Sequence, residues 1–225
     1  QPRQNKDISD HTDTSETYEE LSMTVKEAFK TLAFWQLVIG MGVAGLIMST
    51  IIVFSIPSLE SFGISTTTAG LTVLFLSVLN LAGRFFLGFI ADKMDKRYIL
   101  ALTYALMSVG TLVFAFIGEI WHIVVFLLLY APGHGGTVPV RFALLADYFG
   151  RKSFGALVGI TMTLTAIFGI VGPIFTGWVF DTTGSYRLAF VVIALISAPA
   201  APLTLMVKPP VLSINKPKIE PAQHL

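Results

Sequence analysis

Six long apolar runs dominate the chain, roughly at 34–56, 69–91, 98–117, 121–142, 155–179 and 188–207. Each is close to the ~20 residues an α-helix needs to cross the hydrocarbon core of a bilayer. The polar breaks between them are short. SLESFGISTTTAG follows the first run, which Pro57 is expected to close. Residues 92–97, 118–119, 147–153 and 181–187 separate the others. Ahead of the first run, QPRQNKDISDHTDTSETYEE is too polar to fold alone and reads as a solvated linker. Residues 22–30 are expected to form a short amphipathic helix on the membrane surface, with Leu21, Val25, Ala28 and Phe29 on one side. The tail from Lys208 is Pro- and Lys-rich and is expected to be disordered. The pattern predicts an all-α integral membrane fold. A cytoplasmic linker spans 1–30, a six-transmembrane-helix bundle 31–208 and a cytoplasmic tail 209–225.

Composition sharpens this. The chain is 54% hydrophobic and 13% charged, with a mean hydropathy of +0.74. Soluble domains carry about 25% charged residues, so this chain belongs to the membrane class. Cysteine is absent, which excludes disulfides and thiolate-bound metals. A formal charge of +1 gives no footprint for nucleic acid. No G-x-S-x-G, H-E-x-x-H or phosphate-cradling loop is present, so neither an enzyme nor a cofactor or metal centre is expected. The N-terminus is unlike a signal peptide and lacks an initiator Met, as expected of a fragment or a processed chain.

Loop charge sets orientation, because basic loops stay in the cytoplasm. Six spans put both termini on one side. That side carries Lys26, Lys30, Lys93, Lys96, Arg97, Arg151, Lys152, Lys208, Lys216 and Lys218, against Arg187 alone on the other. Both termini are therefore expected to be cytoplasmic. Trp35, Trp121, Trp178 and Tyr186 fall near run ends, where interfacial aromatics sit. Glycine-rich stretches, IGMGVAG (39–45), GALVG (155–159) and GIVGPIFTG (169–177), predict close helix approach. Pro132, Pro139 and Pro173 are expected to break or bend the fourth and fifth spans.

The stretch at 83–100, GRFFLGFIADKMDKRYIL, organises the rest. It leaves the bilayer, turns tightly at a cluster of charges and re-enters. Gly88, Asp92, Lys96 and Arg97 fall at the spacing G-x-x-x-D-x-x-x-K-R. Arg84 lies inside the apolar run, about 12 Å before Asp92 at 1.5 Å per residue. A guanidinium keeps its proton, so Arg84 must face protein, water or an anion rather than lipid. No Asp or Glu lies at its depth in any of the six runs. Asn80 is one turn away on the same face. Arg141 falls at the inner end of the fourth run and is expected to snorkel.

GFIADKMDKRYIL (88–100) resembles the loop signature of the major facilitator superfamily, G-x-L-A-D-x-x-G-R-R-x-x-L, departing from it at Asp95, where that family has Gly. GIVGPIFTG is similar to the superfamily's Gly-Pro helix motifs. NLAGR (80–84), ADYFGRKSFGALVG (146–159) and TVKEAFKTLAFW (24–35) resemble the oxalate/formate antiporter and monocarboxylate transporter group, the last matching the end of its central linker. The resemblance covers roughly residues 22–207. It implies the second half of a twelve-helix fold, built as two inverted three-helix repeats. The first six-helix half, a small carboxylate anion and the lipid bilayer would be its partners.

It also implies a secondary carboxylate transporter working by alternating access. Arg84 would be a substrate-anion ligand, its planar fork suited to a carboxylate. Asn80 would orient it, bind substrate or bond a neighbouring helix. Many monocarboxylate transporters have a titrating Asp there, which Asn cannot replace. His134 and Tyr130, one turn apart, and Phe168 would wall the cavity, unless they only pack. Gly88, Asp92, Lys96, Arg97, Asp147 and Arg151 would form a conformational gate, or else solvated surface charge worth ~0–1 kcal/mol. The oxalate/formate exchangers use a Lys in the eleventh helix, and 155–179 has no Lys or Arg. A monocarboxylate therefore fits better than a dicarboxylate. The competing reading is a non-transporting membrane scaffold or sensor derived from a half-transporter.

Overall fold

A computed structural model describes residues 23–210. The linker expected at 1–20, Leu21 and Ser22 of the surface helix, and the tail beyond Pro210 with Lys216 and Lys218 lie outside the described residues. The described residues form eight helices and no strand: α1 (Val25–Phe29), α2 (Leu32–Ser61), α3 (Thr66–Ala91), α4 (Lys96–Ala115), α5 (Ile120–Phe149), α6 (Phe154–Thr183), α7 (Arg187–Ser197) and α8 (Ala200–Leu205). Six spans are long and apolar enough to cross a membrane, the last being α7 and α8 together.

The short helix α1 begins at a capping box. Thr24 accepts from the backbone of Glu27, whose carboxylate bonds back to the Thr24 N–H at 2.8 Å. Ala28 is buried, and Trp35 ties α1 to α2 by donating from Nε1 to the Phe29 carbonyl at 2.9 Å. Tyr186, between α6 and α7, is buried and stacked on Phe180, with 4.1 Å between centroids.

Pro57 does not close the first span. A proline removes only one backbone donor, and α2 continues through it to Ser61. α5 and α6 likewise run unbroken through Pro132, Pro139 and Pro173, and they extend beyond their apolar runs. Hydropathy marks where lipid ends, not where a helix ends. Asp147 and Asp181 thus lie on helices, and the chain turns later, at Gly150 (φ +77°) and Gly184 (φ +69°). Those positive values favour glycine, which has no Cβ to clash. The sixth run is split at Ala198 and Pro199, between α7 and α8. Pro199 and Pro202 both lack the donor a continuous helix would use there.

Two triplets, α2–α4 and α5–α8, exchange their middle helices. α3 lies against α5, and α6 lies against α2. α4 packs behind α5 and holds α7 and α8. Phe114, Phe126 and Phe190 meet where α4, α5 and α7 converge, with centroids 4.7 and 4.8 Å from Phe114. This equivalence is the arrangement expected of inverted repeats. α3 and α6 remain open to the outside: 11% of the apolar stretch of each is buried, against 56–61% in α2, α4 and α5. A Cβ placed on Gly155 or Gly159 would meet nothing within 4 Å, so these two glycines make no close approach among the described residues.

At the turn between α3 and α4, Asp95 adopts φ −61° and ψ 117°, which needs no glycine. It caps α4 by accepting from the Arg97 backbone N–H at 2.9 Å. The hydrogen bond from the Arg97 side chain holds the Asp95 carboxyl below the usual carboxylate range. The resulting stabilisation is full above the ordinary Asp pKa and is lost as pH falls through the lowered one. Exposure keeps it within the ~0–1 kcal/mol of a surface pair. Acid titration of Asp95→Asn against the parent should therefore separate the two Tm curves slightly at any pH above the ordinary Asp pKa and bring them together as pH falls through the lowered one.

Candidate functional site

The site is set by two backbones in contact. A Cβ placed on Gly135 of α5 would lie 2.0 Å from the Asn80 carbonyl oxygen and 2.9 Å from the Arg84 nitrogen of α3. One placed on Gly83 would lie 2.4 Å from Pro132 Cα. Glycine at both positions lets α3 and α5 approach to a distance larger residues forbid. That approach brings Arg84 and Asn80 level with His134.

Beside this contact lies a cavity of about 360 Å³. α3 lines it with Val73, Leu76, Ser77, Asn80 and Arg84, α5 with Tyr130 and His134, and α2 with Ile51, Ile52 and Ser55. The structure therefore brings together four of the five expected site residues. Phe168 is not among them. Its ring presses on α2, where a Cβ on Gly42 would meet it at 2.6 Å. Nor does α6 line the cavity, which was expected around Arg84 with the fourth and fifth spans as its other walls. The first span takes that place, and the pattern of α2 gave no sign of it, because α2 is apolar on every side.

Arg84 is exposed to the cavity rather than buried, and it has no ion pair or hydrogen bond among the described residues. Asn80 is half-buried. The Tyr130 hydroxyl and the Nδ1 of His134 are shielded from solvent without a hydrogen-bond partner among the described residues. Their rings lie 5.6 Å apart. Shielded polar atoms of this kind need an answering group. The cavity thus offers a guanidinium fork, an amide, a phenol and an imidazole, and no opposing carboxylate.

The residues expected to gate the pathway begin at Gly88, one turn past Arg84, and run on from the C-terminal end of α3. Lys96 of α4 and Asp147 of α5 form an ion pair at 2.7 Å. Arg97 instead turns back on Asp95 and donates to the Val207 carbonyl at 3.1 Å. Gly88 and Asp92 line a small cleft of about 130 Å³ with Pro139 and Val140. Asp92 has no ion pair among the described residues. Arg151 begins the turn between α5 and α6. Two of these residues, Lys96 and Asp147, thus tie α4 to α5.

Comparison with known proteins agrees with the six-span helical fold. Residues 16–225 match the family model described as Major Facilitator Superfamily. The chain is 26% identical over 161 residues to the uncharacterized transporter YycB of Bacillus subtilis, covering 71% of this chain and 40% of that protein. It is 27% identical over 146 residues to monocarboxylate transporter 12 of Rattus norvegicus, covering 63% and 30%. The chain thus spans well under half the length of these curated relatives. Its fold matches the crystal structure of the E. coli fucose:proton symporter FucP with a TM-score of 0.68 at 18% identity, over 81% of this chain and 44% of that one.

Proposed function

The chain belongs to the Major Facilitator Superfamily and is an integral multi-pass membrane protein, and from that premise we propose that it is the second half of a transporter for small carboxylates. Arg84 carries this reading. It is a cavity-facing guanidinium with no carboxylate to pair with among the described residues. The carboxylate of the cargo would take that role through a bidentate contact. Asn80, Tyr130 and His134 would complete the polar contacts, and Ile51 and Ile52 would hold the apolar end. The similarity to monocarboxylate transporter 12 supports the same class.

The exposed faces of α3 and α6 would meet the first six helices, closing the cavity. The two halves would rock about it. The Lys96–Asp147 pair and the Gly88–Asp92 turn would hold one of the two states. Uptake into proteoliposomes holding the full-length protein tests the cargo. Preloaded lactate, formate or oxalate should drive counterflow of labelled lactate, and preloaded fucose should not. Counterflow of fucose alone would remove the carboxylate reading.

Two further outcomes are expected. Single cysteines at Ser153 and Ser185 bracket α6 in a Cys-free chain. They should label from opposite faces of the membrane, Ser185 from outside. Equal labelling of both by an impermeant maleimide would refute the topology. Asp92→Asn should slow lactate exchange without changing lactate affinity, since Asp92 is remote from the cavity and acts on the states alone. An unaltered rate at equal expression would make Asp92 mere surface charge.

A further inference from the structure

The last turn of α5, which carries Asp147, is held from two sides. Lys96 of α4 pairs with Asp147 at 2.7 Å. Two residues on, the Phe149 carbonyl accepts from the backbone N–H of Met23 at 3.0 Å. The last carbonyls of a helix find no partner within it. Here that partner comes from the chain just ahead of α1.

Met23 opens a compact strap. α1 follows at once, started by its capping box. Its apolar side, which the sequence suggested for the membrane surface, is turned to the bundle. Ala28 is fully buried, and Val25 and Phe29 pack on the core. Phe29 lies on Phe34 of α2 with ring centroids 4.8 Å apart, and Phe34 meets Phe149 edge to face at 6.0 Å. Phe34 and Phe149 are both fully buried. Trp35 closes the strap through its Nε1 bond to the Phe29 carbonyl. The end of α5 is thereby joined to the start of α2, and these two helices scarcely meet elsewhere among the described residues.

Ahead of Met23 the chain is mostly polar, and it would lead back to the first six helices. We propose that residues 23–35 are a strap through which this linker governs the gate. With the strap seated, the last turn of α5 is fixed and Asp147 meets Lys96. When movement of the first half draws on the linker, Met23 leaves Phe149, the turn loosens and the pair opens. The capping box and the indole bond keep α1 on α2, so Met23 can leave without α1 unwinding. Met23, Ala28 and Trp35 are positioning residues, since none of them lines the Arg84 cavity. Their role rests on the reading of Lys96–Asp147 as a gate.

Hydrogen exchange and lactate counterflow of the full-length protein test the strap. Ala28→Glu opens it, since a fully buried alanine leaves no seat for a charged chain. Exchange should quicken about tenfold at 23–31, and also at 147–150 across the hydrogen bond. Counterflow should slow about three- to fivefold, the most an exposed ion pair supplies, with lactate affinity unchanged. Asp147→Asn should slow counterflow by the same factor with the strap still seated. Adding Ala28→Glu to it should slow counterflow no further, because both act through one pair. Trp35→Phe keeps a ring and loses only the donated hydrogen bond. It should show the same changes in smaller degree, and it takes the place of Ala28→Glu if that variant does not fold. Faster exchange at 23–31 with parental exchange at 147–150, or with parental counterflow, would overturn the strap and leave the gate. So would effects of Ala28→Glu and Asp147→Asn that multiply in the double variant. Parental counterflow in Asp147→Asn would remove the gate, and the strap's role with it. The exchange measurement needs no cargo, so the strap stands or falls on it even where lactate is not carried.

Discussion

Arg84→Gln should cut lactate affinity of the full-length transporter about 10- to 100-fold, since a hydrogen bond to a charged group contributes about 1.5–3 kcal/mol and 1.4 kcal/mol is a factor of ten. Thermal unfolding should not move. Arg84 is exposed to the cavity and answers no protein group among the described residues, so its loss leaves no partner stranded. Arg84→Lys is the sharper variant. It keeps the charge but gives up the planar fork, and most of the affinity should go with the fork. Lactate titration by calorimetry, alongside a melting curve of each variant, reads both quantities. A fall in Tm that matches the fall in affinity would make Arg84 a structural residue instead.

Gly135→Ala should be among the most damaging single changes in the chain. The added carbon would stand 2.0 Å from a backbone oxygen of α3, and a backbone atom cannot rotate aside. Overpacking a tight core costs roughly 1–3 kcal/mol when neighbours can yield, and here they cannot yield without moving α3. The variant should therefore melt well below the parent and lose lactate uptake, because displacing α3 displaces Asn80 and Arg84. Gly155→Ala is the control. It meets open space in this chain, and its helical φ suits alanine. Differential scanning fluorimetry of both variants decides the matter. A Gly135→Ala protein with the parent's Tm would mean that α3 and α5 sit farther apart than described.

The six spans were legible because each apolar run approaches the length of a bilayer crossing. The Asn80–Arg84 and Tyr130–His134 pairs were legible because a spacing of four places two residues on one helix face. Helix ends were read less well. Pro57 lies within α2, and Asp147 and Asp181 lie on helices that outlast the lipid. The share of α2 in the cavity was hidden. Ile51, Ile52 and Ser55 look like any other stretch of an evenly apolar helix, and only packing against α3 and α5 selects them. Phe168 failed for the converse reason. Its partner is the missing side chain of Gly42, and a gap on another helix leaves no trace in local spacing. Gly135 stands in the conspicuous APGHGG, yet nothing local distinguishes it from Gly136 as the contact to α3 at Asn80.

Where the anion rests is open to direct view. Cryo-electron microscopy of the full-length protein, with and without saturating lactate, should show added density within hydrogen-bond reach of the Arg84 guanidinium, bordered by Asn80, Tyr130 and His134. Without lactate, Arg84 should face water in the same cavity. An Arg84 head locked to an Asp or Glu of the first six helices in both maps, with lactate density elsewhere or absent, would show that this guanidinium serves the joint between the halves and not the cargo.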